Sequence, residues 1–262
     1  MKQKNLLKIT KYNLGRDKKV LGKEWFTTYG GWFSDEENAK RFTKAVKHYI
    51  QNKNPDILYV ASASGWLGEK LLADLGGGTL TIVDISEKHL NENKNPNTKK
   101  IRADLLKLNL KKKFDVIMMR SSLDYFPSAP LQIKVLKIIK NHLKSNGIFV
   151  NQPAYIPNKR SRDIISAIYN SINKIGKRFF QSADLKEIYY KAGFKKPQKI
   201  GESKVMRITE KDHRGRYGLT SKEIKKIQER IGNSPSHARI TKEGYMLTFE
   251  FPIFISKLTK IK

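Results

Sequence analysis

The sequence predicts an α/β fold built on a doubly wound, mostly parallel sheet. Three observations carry this. Between residues 57 and 151, short β-type runs alternate with segments of helical period. The run Phe114–Met119 is apolar without interruption, as a strand buried on both faces should be. The first predicted strand ends in a turn of small residues, Ser62 to Gly65, and a helical segment follows at once.

The elements follow in order. Residues 1–35 are polar and basic with aromatic islands at Tyr12, Trp25, Phe26, Tyr29, Trp32 and Phe33, and Thr27 to Gly31 reads as a loop. Ser34-Asp35-Glu36-Glu37 opens a helix, with Ser34 as N-cap and Glu37 at the capping-box position. Ala39, Phe42, Val46 and Ile50 continue it at helical spacing. Asn54-Pro55-Asp56 stops it before a strand over residues 57–61. A helix over residues 66–75 ends in Gly76-Gly77-Gly78. Strands are expected over 80–83, ending at Asp84, and over 100–103. Apolar residues at 131, 135, 136, 139 and 143 predict a helix, and Asn146-Gly147 a turn into a strand over 148–151. Beyond it lie a helix over 162–175, a second over 182–192 closed by Gly193, and a short strand over 196–200. The segment 203–244 is polar and loop-rich, with one helix from Thr220 (N-cap, Glu223 at N3) to Ile231. Tyr245 to Ser256 is one long β-type run interrupted by Pro252.

Composition excludes several function classes. The 262 residues contain no cysteine, which removes disulfide scaffolds, thiolate zinc sites and thiol nucleophiles. No run approaches the ~20 apolar residues of a membrane span, and Met1 to Thr10 lacks an apolar run of signal-peptide length. A cytoplasmic location is the expectation. The net charge of +29 raises the question of a polyanionic partner. That charge rests on 41 Lys against only 12 Arg, spread along the chain beside 17 Asn. Bidentate phosphate and base recognition favours Arg, so a diffusely basic surface is the simpler reading and nucleic acid is not the favoured partner. The five histidines (His48, His89, His142, His213 and His237) form no i, i+4 pair, so no metal is expected. His48 and His142 read as surface residues.

In an open parallel sheet, ligands bind beyond the carboxyl ends of the strands. There the first turn, Ala61-Ser62-Ala63-Ser64-Gly65, lets backbone approach a ligand closely. Asp84 follows 19 residues after Gly65, at the end of the next strand, where a carboxylate can take both hydroxyls of a ribose. Asp104 after the third strand can meet an adenine amino group. Arg120 and Ser121 leave the fourth strand at the same edge.

Together these segments resemble the class I S-adenosylmethionine-dependent methyltransferases over roughly residues 35–200 and the final strand. The resemblance rests on Ile57 to Gly65, Ile82-Val83-Asp84-Ile85-Ser86, Ala103-Asp104-Leu105, Phe114 to Phe126, Leu143 to Gly147, and Ala192-Gly193-Phe194. It implies seven strands with an antiparallel last one over 247–256. It also implies one domain: an N-terminal helical cap (1–54), a Rossmann-like core (55–202), an insertion or lid (203–244) and the last strand (245–262). The cofactor would be S-adenosylmethionine, held by Ala61, Ser62, Ala63, Ser64, Gly65, Asp84, Ile85, Asp104, Leu105, Arg120 and Ser121. The sequence departs from the family pattern at Tyr59, where an acidic residue is usual, and at Ala61 and Ala63, where glycines are usual. Alanine fits there if φ stays negative. A nicotinamide dehydrogenase would need G-x-G-x-x-G, and only Gly65-Trp66-Leu67-Gly68 is present.

Methyl transfer from a sulfonium is an in-line displacement that depends chiefly on alignment. The acceptor is expected above the fourth-strand exit, under a lid made by the N-terminal aromatics or the insertion. The candidate contacts or bases are Tyr29, Tyr125, Tyr155, His213 and His237. The expected acceptor is a small or lipid-like metabolite, with Arg207, Lys211, Arg214, Arg216 and Arg239 available for an acidic group on it. The alternatives are an RNA methyltransferase or RNA-binding relative, and a catalytically lost protein on the same scaffold.

Overall fold

A computed structural model describes residues 29–172, 176–233 and 236–259. Tyr12, Trp25 and Phe26 lie outside them. The main sheet has seven strands: β1 (Asp56–Val60), β2 (Thr79–Asp84), β3 (Lys99–Arg102), β4 (Phe114–Arg120), β5 (Leu143–Gln152), β6 (Gln198–Glu202) and β10 (Pro252–Ser256). Their spatial order is β3-β2-β1-β4-β5-β10-β6. Strands β3 to β5 pair in parallel, while β10 runs antiparallel to both neighbours. The sheet is thus the seven-stranded, mostly parallel one that the resemblance implies.

Alternation along β1 divides the two cores. Leu58 and Val60 face a layer with α4 (Ala129–His142) and α6 (Ser182–Ala192). Ile57 and Tyr59 face α1 (Glu36–Lys47) and α2 (Trp66–Leu75). Burying both faces of the strands is why they read as unbroken apolar runs. The link α3 (Glu87–Glu92) joins β2 to β3. Among the described residues no helix is long and apolar enough to cross a membrane.

A third core lies outside the sheet. It joins α5 (Lys159–Ile172) to β7 (Met206–Thr209), α7 (Glu210–Tyr217), α8 (Ser221–Ile231), β8 (Ala238–Thr241) and β9 (Gly244–Phe249). Strands β7, β9 and β8 form a separate antiparallel sheet. Helices α7 and α8 open with reciprocal capping boxes, Thr209 with Asp212 and Thr220 with Glu223. The connection from β6 to β10 is therefore a folded unit whose apolar interior is shared with α5 and with Tyr29, Trp32 and Phe33.

Several expectations from sequence are corrected. The long run to Ser256 is two strands in two sheets: β9 ends at Phe249, and β10 begins only at Pro252. Odd-numbered residues from Tyr245 to Ile255 are all buried, so the period of two continues across the break and hides it. Proline has no N–H for a ladder and suits a strand's first residue. The N-cap of α1 is Asp35, whose Oδ1 accepts from the Asn38 amide at 2.7 Å, because a 3-10 turn at Trp32–Ser34 occupies Ser34. Strand β5 starts at Leu143, directly on the end of α4, and runs through Asn146-Gly147. His142 is buried, not a surface residue. Its Nε2 accepts from the Leu110 amide at 2.8 Å, and Nδ1 bonds the Ile138 carbonyl at 2.7 Å.

Candidate active site

The parallel strands β1 to β4 end on one edge. The turn after β1 is built from left-handed residues: Ala61 (φ 49), Ala63 (φ 51) and Gly65 (φ 79). The negative φ expected for the alanines is not what the chain adopts. Asp84 closes the turn, its Oδ2 accepting from the Ala63 amide at 2.8 Å and its Oδ1 from the Ser86 amide at 2.9 Å. It is only 8% exposed, with His89 Nδ1 3.8 Å from Oδ1. Asn93 ties the turn from below, donating to the Ser64 carbonyl at 2.9 Å and to Glu69 at 3.1 Å. Gly65 needs both its φ and its missing side chain, since a Cβ there would lie 2.7 Å from Ile82.

A left-handed non-glycine residue costs ~1–2 kcal/mol. Glycine at the same place gives back part of that through unfolded-chain entropy. Ala61→Gly and Ala63→Gly are therefore each expected to stabilise the protein by about 0.5–1 kcal/mol, a rise of ~1–4 °C in Tm. Thermal unfolding of the two variants measures it. A fall in Tm for both would show that the turn carries no strain.

The other residues singled out from sequence are placed as follows. Ile85 is half-buried beside Asp84, and Ser62 and Ser64 are buried in the turn. Asp104 caps a 3-10 turn, accepting from the Leu106 amide at 2.9 Å, while Leu105 packs into the core beneath. Arg120 ends β4 and is 8% exposed. The register pairs Val60 with Met119, so Arg120 stands beside Ala61. Its guanidinium packs 5.3 Å from the Trp32 ring and 5.2 Å from the Phe33 ring, and it donates to the Phe33 carbonyl. Burial lowers its pKa, but an arginine keeps its charge. Ser121 is also left-handed (φ 48) and donates its amide to the Gln152 carbonyl at 2.8 Å.

Next to Ser121 a small cavity of about 20 Å³, room for about one water, lies between the sheet edge and the folded unit. Its walls are Tyr29, Phe33, Tyr125, Tyr169, Phe179 and Phe249, with Met206, Ile208, Lys177 and Arg216. Tyr29 is brought in by three successive left-handed residues, Tyr29, Gly30 and Gly31 (φ 55, 64 and 75). Of the five non-glycine residues with positive φ among those described, four (Tyr29, Ala61, Ala63 and Ser121) flank this edge. Such strain persists only where the surroundings enforce it, and it clusters at functional sites.

Lys177 pairs with the fully buried Asp124 at 2.9 Å and sits 3.6 Å over the Tyr125 ring. Arg216 bridges the hydroxyls of Tyr29 and Tyr125, the latter at 3.3 Å. His213 is fully buried behind the wall, its ring nitrogens bonded to the hydroxyls of Tyr245 at 2.8 Å and Tyr169 at 3.1 Å. Burial, aided by the charge of Lys177, pushes its pKa down to about 3. His237 lies outside the cavity wall with Ser236 and Glu250, and Tyr155 is also outside it, bridged to Glu250 and Phe180. Among the described residues no three metal-binding side chains converge.

The sequence reading missed Asp124, Lys177, Tyr169 and Phe179 as site residues. The one local signal was Gly176-Lys177-Arg178-Phe179-Phe180, cations set against aromatics in a loop.

Comparison with known proteins agrees with this geometry. Residues 58–149, from β1 into β5, match the family described as methyltransferase domain. No curated protein matches the chain. Among solved structures, the YcgJ protein of Bacillus subtilis superposes with a TM-score of 0.68 at 13% identity, over 87% of this chain and 100% of that one. A S-adenosylmethionine-dependent methyltransferase from Clostridium acetobutylicum gives 0.52 at 15%, covering 95% and 98%. Human N-acetylserotonin methyltransferase, solved with S-adenosylmethionine, gives 0.59 at 12%, covering 98% and 60%. At these identities the likeness to solved structures is one of fold. Residues 58–149 thus resemble a methyltransferase domain, and the chain has the fold of the class I S-adenosylmethionine-dependent methyltransferases.

Proposed function

We propose that the chain transfers a methyl group from S-adenosylmethionine to a small-molecule acceptor held under the folded unit between β6 and β10. The observation that carries this reading is the Asp84 carboxylate, locked to the Ala63 amide at the edge that also bears Arg120 and the cavity. The donor set suits the cofactor. Each carboxylate oxygen of Asp84 has a second acceptor position beyond its backbone bond, matched to ribose hydroxyls. Asp104 is an acceptor at the next strand end. Arg120 offers a cation to the cofactor's own carboxylate. The small side chains of residues 61–64 leave the backbone approachable.

When bound, S-adenosylmethionine supplies a methyl carbon already activated by the sulfonium. The protein's part is then to bind, orient and exclude water. The Asp84-tied turn fixes the cofactor's position, and the aromatic wall holds the acceptor in line beside Ser121. Residues of β7, α7 and β9 cover that place, which supports the folded unit acting as the lid. His213 is neutral at any pH near 7 and has both ring nitrogens engaged, so it serves the wall rather than taking a proton.

Calorimetric titration with S-adenosylmethionine, S-adenosylhomocysteine and NAD tests the reading. The first two are expected to bind and to raise Tm by mass action, and NAD is not. A folded protein that shows neither heat nor a Tm shift at millimolar cofactor would overturn it.

A further inference from the structure

Two buried polar side chains at the sheet edge lack the partners that burial ordinarily demands. Arg120 is 8% exposed, and among the described residues its guanidinium donates only to the Phe33 carbonyl and meets no carboxylate. Tyr59 is 4% exposed, and its hydroxyl has no hydrogen-bond partner among the described residues. A buried cation without a counter-charge and a buried hydroxyl without an acceptor both cost stability. The two stand together. Tyr59 pairs with Met118, so Arg120 lies one pleat further along the same face, and each acts on the other's ionisation. Burial pushes the Tyr59 pKa up, so its hydroxyl is a neutral donor. Asp84 ends β2, two strands away from β4, or about 10 Å at ordinary strand spacing. The edge thus carries an acceptor at one end, a cation at the other and the small-residue turn between them. A ribosyl thioether with a short amino-acid tail fits that order, hydroxyls to Asp84 and carboxylate to Arg120. Ala61, Ala63 and Ser121 along the edge are half-buried, so solvent reaches it without a closed cavity having to open.

Resting on the methyltransferase reading, we propose that Arg120 and Tyr59 form an anion site that makes the cofactor's amino-acid carboxylate obligatory for binding, with Arg120 as the specificity-determining residue. The carboxylate supplies the counter-charge that Arg120 lacks and the acceptor that the Tyr59 hydroxyl lacks. An acid at residue 59, usual in the family that the sequence resembles, would pair with Arg120 inside the fold and close the place to an anion. Tyrosine there adds a donor and leaves the counter-charge to the ligand. An adenosyl thioether stripped of its carboxylate keeps the ribose contacts at Asp84. It leaves the buried guanidinium unanswered and brings an amine toward it. The Trp32 and Phe33 rings, 5.3 and 5.2 Å from the guanidinium, hold it in place and keep water away, which strengthens its attraction for a carboxylate.

The test is calorimetric titration of the full chain with S-adenosylhomocysteine and with its decarboxylated analogue, which differs only in the missing carboxylate. The parent is expected to bind S-adenosylhomocysteine about tenfold to a hundredfold more tightly than the analogue. Arg120→Gln should weaken S-adenosylhomocysteine by about that factor and leave the analogue's affinity within about twofold, so that the difference between the two ligands nearly vanishes. Tyr59→Phe should cut the same difference several-fold. A merely structural role for Arg120 would weaken both ligands alike, and that result would overturn the proposal. So would a parent protein that binds the two ligands equally well, a measurement that needs no variant to fold. In either case the methyltransferase reading stands, because an adenosyl ligand still binds. If a folded parent binds neither ligand, both the reading and the proposal fail.

Discussion

Asp84→Ala is expected to weaken S-adenosylmethionine binding tenfold to a hundredfold and to destabilise the protein by about 2–4 kcal/mol. From sequence alone Asp84 reads as an exposed strand-end carboxylate whose loss would affect only the ligand. In the fold it is 8% exposed and holds two backbone amides, those of Ala63 and Ser86. Hydrogen bonds to a charged group contribute ~1.5–3 kcal/mol, and a buried donor stripped of its acceptor costs ~1–3 kcal/mol. The Ala63 amide belongs to a left-handed residue, so the same bond also holds the strained turn in shape. At ~2–4 °C per kcal/mol for a chain near this size, Tm should fall by about 4–16 °C. Asp84→Asn keeps one oxygen and the volume, and separates the two effects. It should recover much of the stability but little of the cofactor affinity. Calorimetry on both variants reads the affinities and thermal unfolding the stabilities. If Asp84→Asn binds cofactor like the parent, the carboxylate does not hold the ribose.

The second large effect is on pH dependence. The pKa of His213 falls from about 6.5 in the unfolded chain to about 3 in the fold, through burial first and then the charge of Lys177. Between these values the unfolded chain binds a proton at residue 213 that the folded protein does not, so stability falls as pH falls. The loss begins near pH 6.5 and grows by ~1.4 kcal/mol per unit, reaching about 2–3 kcal/mol by pH 4.5. The paired carboxylate of Asp56 acts lower. At Asp56 the upward push of burial is outweighed by hydrogen bonds from Lys112, Thr79 and Lys144, and its pKa is about 2. Its contribution is lost only as pH drops below about 4. Urea unfolding at half-unit steps from pH 7 to 4.5 should show the His213 slope. His213→Gln, which can still bond one of the two tyrosine hydroxyls, should be less stable at pH 7 yet flatter below it. An equal slope in parent and variant would mean that His213 is protonated in the folded protein.

The unit between β6 and β10 also decides how its role can be tested. A polar, loop-rich reading of residues 203–244 suggests replacing most of it with a short Gly-Ser turn. In the fold, Met206, Ile208, Leu219, Ile224 and Ile227 are buried against Tyr29, Phe33, Tyr169 and Phe179. Excision would bare that core, so point changes at Arg216 and Lys177 are the informative ones.

What the sequence determines by itself is the part governed by local spacing. Capping residues, apolar period and glycine stops set the helices and parallel strands from β1 to β5. The ends of those strands follow directly, and with them Asp84, Asp104 and Arg120 on one edge. The Thr220–Glu223 box is local in the same way. Tertiary structure alone decides the rest. Tyr245 to Ile255 keeps one period of burial through two sheets, so no local pattern could say where it changes partner. Ala61 and Ala63 are alanines, and only the closed turn with Asp84 across it sets their φ positive. The aromatic cavity draws Tyr29, Tyr125, Tyr169, Lys177, Arg216 and Phe249 from distant segments. Each side chain is unremarkable in its own window of sequence. Their common property, cations set against aromatic rings, exists only once the chain has folded and burial has removed the water that would otherwise screen them.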